Sequence, residues 1–136
     1  MNADPLAASL RIATMGLDNQ SVRMRVVSEN IANARSTGDT PGETAFRRKT
    51  VTFSEVTDRL DAGRTRIRTD AATLPLRYDP GHPAADGQGM VVHPNVSMLT
   101  EVADMREASR TYEANLQVMR QARDLINGTI DLLRGR

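Results

Sequence analysis

The sequence predicts a mainly α protein in which long N- and C-terminal helices pair as an antiparallel coiled coil around a partly β, loop-rich central insert. Two observations set the helices: apolar residues alternate at three- and four-residue steps through 6–34 and again through 98–133, the spacing of a coiled-coil seam. A third sets the insert. Five of the six prolines and six of the nine glycines fall within 36–97, so neither helix continues through it. The organisation expected is one domain, with a core helix in 1–35, the insert in 36–97 and a second core helix in 98–136.

The first seam runs Leu6, Leu10, Ala13, Leu17, Gln20, Met24, Val27, Ile31, Ala34. Asp4 and Pro5 ahead of it fit an N-cap and a first-turn proline. At its far end Asn33 fits a helix terminus, because asparagine tolerates the left-handed backbone that ends helices. Asn30 is less easily placed. It flanks the seam between Val27 and Ile31, where an amide must find a partner or be costly, and where a polar group can set register between helices.

Within the insert, 44–53 (TAFRRKTVTF), 64–68 (RTRIR), 74–78 (LPLRY) and 89–92 (GMVV) are short, β-branched or alternating, and separated by turn signals. Pro75 restricts its strand to an edge or to the strand's start. The basic FRRKT, Phe46 to Thr50, reads as a solvated strand edge, where charge blocks unwanted pairing. Pro80-Gly81 and Asp86-Gly87 read as turns whose aspartates satisfy turn backbone.

The second seam runs Met98, Val102, Met105, Ser109, Tyr112, Leu116, Met119, Arg123, Ile126, Ile130, Leu133. It falters at Ser109 and Arg123 but is widened by Ala108, Ala122 and Leu125. Asn95 is the expected cap. Ser109, Tyr112 and Asn115 stand three apart along one side, any of them placed to answer an amide from a neighbouring helix. The methionines at seam positions read as adaptable packing residues.

Composition narrows the function. Eighteen Lys plus Arg balance seventeen Asp plus Glu, so the basic signature of nucleic-acid binding is missing. The absence of cysteine removes disulfides, thiolate zinc sites and thiol catalysis. No secretory signal and no membrane-spanning apolar run is read in the chain. His82 and His93 have no ligand-pair spacing, the glycines form no phosphate cradle, and no serine has nucleophile-elbow surroundings. No catalytic group, cofactor or metal is expected, although a metal-dependent enzyme built on Asp79, His82, Asp86 and His93 is one rival reading. With only Phe46, Phe53, Tyr78 and Tyr112 as rings, a lone two-helix hairpin is marginal, and other subunits are expected to complete the helices. A small soluble adaptor holding a partner helix in a groove is the other rival.

Three stretches carry a family resemblance. SENIANA, Ser28 to Ala34, resembles the S-x-N-[IL]-A-N-A signature near the N-terminus of bacterial flagellar rod and hook proteins. ASRTYEANLQVM, Ala108 to Met119, is similar to their paired C-terminal signature. RYDPGHPAADGQGMVVHPNV, Arg77 to Val96, is similar to the stretch that distinguishes proximal rod members. The resemblance covers nearly the whole chain. It implies a structural subunit of the flagellar basal-body rod, a tubular drive shaft that transmits torque across the periplasm. Its partners would be copies of itself, other rod proteins and the flagellar type III export apparatus, without direct insertion into a membrane. Carried over by position, Asn30, Asn33, Tyr112, Glu113 and Asn115 would belong to inter-helix and inter-subunit contacts. Leu6, Leu10, Leu17, Met24, Val27, Ile31, Val102, Met105, Leu116 and Met119 would form the seam.

Overall fold

The computed structural model describes residues 5–53 and 65–135, Pro5 by its backbone alone. Asp4, expected as a cap, and Arg64, expected to open a strand, lie outside these residues. The chain runs α1 (Pro5–Ala32), β1 (Lys49–Phe53), β2 (Thr65–Thr69), β3 (Leu76–Tyr78), β4 (Met90–Val92) and α2 (Met98–Arg134).

The helices pack on one another over their length and are antiparallel: Gly16 of α1 faces Asn115 of α2, and Asn30 further along α1 bonds to Glu101 nearer the start of α2. The same register carried back places Pro5 level with Ile126. Residues 127–134 of α2 therefore extend past the described part of α1.

The helix ends differ from expectation in ways that local hydrogen bonding explains. α1 stops at Ala32 rather than running to Ala34. The Asn33 side chain donates Nδ2–H to the Glu29 carbonyl at 2.9 Å and its Oδ1 accepts from Ser36 Oγ–H at 3.1 Å. The Glu29 carbonyl also accepts the Asn33 N–H at 3.1 Å, so the side chain adds a second bond to the last turn and ties that turn to the segment that follows. A left-handed turn plays no part, because no described non-glycine residue has positive φ. α2 is capped by Ser97, not Asn95: its hydroxyl accepts from the Thr100 N–H. Asn95 is occupied elsewhere, its Oδ1 accepting from the Arg48 N–H at 2.8 Å.

The insert forms two separate antiparallel ladders. β1 pairs with β2 from Lys49↔Thr69 to Phe53↔Thr65, and β3 pairs with β4 from Leu76↔Val92 to Tyr78↔Met90. β1 lies against α1. Pro75 stands just before β3, where it costs no ladder donor, and its carbonyl accepts from the His93 N–H. The turn between β3 and β4 is held as expected by Asp86, whose Oδ1 accepts from the N–H groups of Gln88 and Met90.

The buried apolar core is small-residued: Ala13, Val26, Val27, Ala108 and Ala122 between the helices, and Ala45, Ala84 and Val91 under the insert. Where the helices come close, at Gly16 against Asn115, there is no room even for a Cβ. The larger seam side chains are left at the margins.

Candidate functional site

Two layers make the site: an apolar helix-pair face and, beneath it, a polar clasp joining both helices to the insert. Asn30, 1% exposed, anchors the clasp. Its amide spends both donors, on Glu101 Oε2 at 2.9 Å and on the Lys49 carbonyl at 2.8 Å, while its Oδ1 accepts the Lys49 N–H at 2.8 Å. A side-chain amide thus pairs with a strand residue as backbone would, docking the start of β1 on α1. The register expectation for Asn30 pointed to Ser109, Tyr112 or Asn115 as its partner. In the fold its partners are Glu101 and Lys49, since the helix register sets Glu101 opposite it and moves Asn115 opposite Gly16.

Glu101 is fully buried. A buried carboxylate demands a cation and further donors. Arg48 supplies the cation, donating Nε–H to Glu101 Oε1 and Nη2–H to Asp104 Oδ2 at 3.1 Å. The hydrogen bond to Glu101 holds the Arg48 guanidinium above its ordinary value, against the opposing effect of its partial burial. Arg23 of α1 then bridges Asp104 at 3.2 Å and Glu107 at 3.0 Å on α2. The expectation that FRRKT is a solvated strand edge is therefore corrected. Arg48 precedes the strand and folds inward to neutralise Glu101, and Lys49 pairs with Glu29 at 2.9 Å, which lowers the Glu29 carboxyl through that hydrogen bond.

Sequence reasoning missed Arg23, Arg48, Glu101 and Asp104. The available signal was Asn30 itself, an amide beside a seam, but nothing local indicated that its answer lay at the very start of the second helix.

The seam residues occupy the helix-pair face. Val27 is buried. Leu6, Leu10, Leu17, Met24, Ile31, Val102, Met105, Leu116 and Met119 are half-buried, as are Ser109, Tyr112 and Asn115, while Glu113 is exposed. Beside them stand large apolar side chains the seam did not include: Ile12 (70% exposed), Leu99 (82%) and Leu132 (78%). With Leu125 and Leu133 also mostly exposed, the far end of α2 offers an apolar surface that no other described residue covers, including a shallow groove between Leu125, Gly128 and Leu132.

Two residues of the metal reading, His82 and Asp86, are engaged otherwise. His82 Nδ1 accepts from the Ala84 N–H, so Nε2 carries the proton and donates toward Thr37 Oγ1 at 3.2 Å. Asp86 serves its turn. Among the described residues no group of acidic, histidine or cysteine side chains is placed to hold a metal ion, and no helix is long and apolar enough to cross a membrane.

Residues 88–132 match the family model described as the flagellar basal body rod FlgEFG protein C-terminal. Whole-length relatives agree. The chain is 57% identical to the flagellar basal-body rod protein FlgC of Agrobacterium fabrum, over 96% of this chain and 97% of that protein. It is 34% identical to FlgC of Borreliella burgdorferi, over 96% and 99% of the two chains. With FlgC of Bacillus subtilis it shares 32% identity over 91% and 95%.

Proposed function

Because the chain belongs to the FlgC family of flagellar basal-body rod proteins, we infer that it works as a structural subunit of the rod, assembling with other rod proteins through its terminal helices. Its place is the basal-body rod. The relatives are structural rod proteins, and the groove-adaptor reading is not favoured beside them.

One observation carries the mechanism. Two long helices bury mainly alanine and valine against each other, while leucines, isoleucines and methionines along the pair remain half-buried or exposed. Each such side chain stabilises by about 1.5–3 kcal/mol when fully buried, so neighbouring helices have much to gain by covering them. We assign this covering role to Leu6, Leu10, Leu17, Met24, Ile31, Val102, Met105, Leu116 and Met119, with Tyr112, Glu113, Asn33 and Asn115 as polar contacts at the margin. A contact in which different faces of successive subunits meet does not close on itself and builds a tube. Packed helices in such a tube carry torque. The proximal position, delivery by the type III export apparatus and the lack of direct membrane insertion belong to the same reading.

Deleting residues 1–10 tests it, because the deletion removes Leu6 and Leu10 and bares the matching stretch of α2. Loss of incorporation into rods by the truncated chain is expected. Normal incorporation would refute the assignment of the helix ends to assembly.

A further inference from the structure

We propose that the cleft between the end of α1, strand β3 and the start of α2 is a carboxylate socket, which receives an acidic side chain with an aliphatic neighbour from a partner protein. The cleft, about 480 Å³, is lined by Arg35, Arg77 and His93 together with the apolar Ala34, Val96 and Met98. Among the described residues no acidic one lines it. Three separate elements deliver the three nitrogenous side chains: Arg35 from the turn after α1, Arg77 from β3, and His93 from the segment after β4. Their convergence therefore depends on the tertiary fold.

None of the three side chains has a hydrogen-bond or ion-pair partner among the described residues, whereas Arg23 and Arg48 each bind two carboxylates in the clasp. Arg35 and Arg77 are exposed and reachable. The backbone behind them is firmly held. The His93 N–H is bound to the Pro75 carbonyl at 2.8 Å, and Pro94 is buried.

Charge complementarity selects the ligand. Two guanidinium forks offer paired donors to a carboxylate, and Met98, the first residue of α2, brings the positive end of that helix's dipole to the same cleft. The apolar lining distinguishes a peptide from a bare inorganic anion. Ala34, Val96 and Met98 give an aliphatic side chain something to cover, which phosphate or a lipid headgroup would leave unused. The cleft lies at the end of α1 and the start of α2, opposite the Leu6 and Leu10 end whose deletion tests assembly, so the two readings fail in different experiments.

The test is a nuclear magnetic resonance titration of the full chain with acetyl-Leu-Glu-Leu-amide, its Leu-Gln-Leu twin and inorganic phosphate. Saturable shifts of the Arg35, Arg77 and His93 signals are expected with the glutamate peptide. Affinity should fall about tenfold for the glutamine twin and for the Arg35→Gln/Arg77→Gln variant. Both arginines are exposed, so that variant should melt like the parent. The Arg35→Lys/Arg77→Lys variant should bind between the two, keeping the charge but losing the fork. Equal binding of the glutamine twin, equal shifts at Arg106 and Arg110 outside the cleft, or tighter binding of phosphate than of the peptide would each overturn the proposal.

Discussion

Gly16 and Asn115 meet across the helix pair so closely that a Cβ on Gly16 would lie 2.6 Å from Asn115 Nδ2. Two heptads further along α1 and two heptads back along α2, Asn30 meets Glu101. The close approach and the hydrogen bond are thus in step on both helices, the one fitting only at this register and the other adding a polar group that sets it.

The first contact predicts a coupled pair of mutations. Alanine at Gly16 gains about 1 kcal/mol of helix propensity but drives its methyl group into the Asn115 amide. Gly16→Ala alone should therefore gain little or lose stability. In an Asn115→Ala background the same change should stabilise, with a coupling of about 1 kcal/mol in thermal melts. Strict additivity would show that the approach is looser than 2.6 Å implies.

The clasp predicts a large loss from a small change. Glu101→Leu removes the carboxylate that Arg48 and Asn30 both address, leaving a partly buried guanidinium and an amide N–H without their partner. Urea unfolding should show a loss of about 3 kcal/mol. Asn30→Ala should cost about 1–3 kcal/mol by orphaning the Lys49 backbone groups and one bond to Glu101, and amide exchange in β1 should quicken.

Acid should weaken the fold through two exposed carboxylates. The Lys49 hydrogen bond lowers Glu29, and backbone N–H bonds from Asp39 and Thr40 lower Glu43, both from an ordinary 4.5. A depressed folded-state value contributes stability that is present above the unfolded value and is lost as pH falls through the folded one. The urea midpoint should thus drop as pH falls below the ordinary 4.5 and on through the lowered folded-state values. The Glu29→Gln/Glu43→Gln variant should show a shallower drop over that range.

In the β3–β4 turn, Gly89 has φ +77° and its absent Cβ would sit 2.9 Å from the Tyr78 ring. Gly89→Ala should cost about 1–2 kcal/mol for the left-handed backbone alone. Gly87 is a fair control, with nothing within 4 Å and no positive φ. Gly87→Ala should be neutral or slightly stabilising. Amide exchange at Val91 would report both.

Much of this molecule was legible in its residues taken one stretch at a time. The three-four spacing of Leu6 through Ile31 and of Met98 through Leu133 determined two long helices, Asn33 marked the end of the first, and Asp86 announced its turn, because helix period and turn chemistry act over a few neighbouring residues. What only the tertiary structure decided was which groups answer one another. Arg48 looked like a solvated edge residue until Glu101, far along the chain, came to need a cation, and Asn30 found Glu101 and Lys49 rather than Asn115. The seam leucines and methionines, expected as subunit-interface positions, stand half-buried, while the buried apolar positions go to alanine and valine. Periodicity says which face is apolar, but only the distance between backbones says which side chains that face can bury.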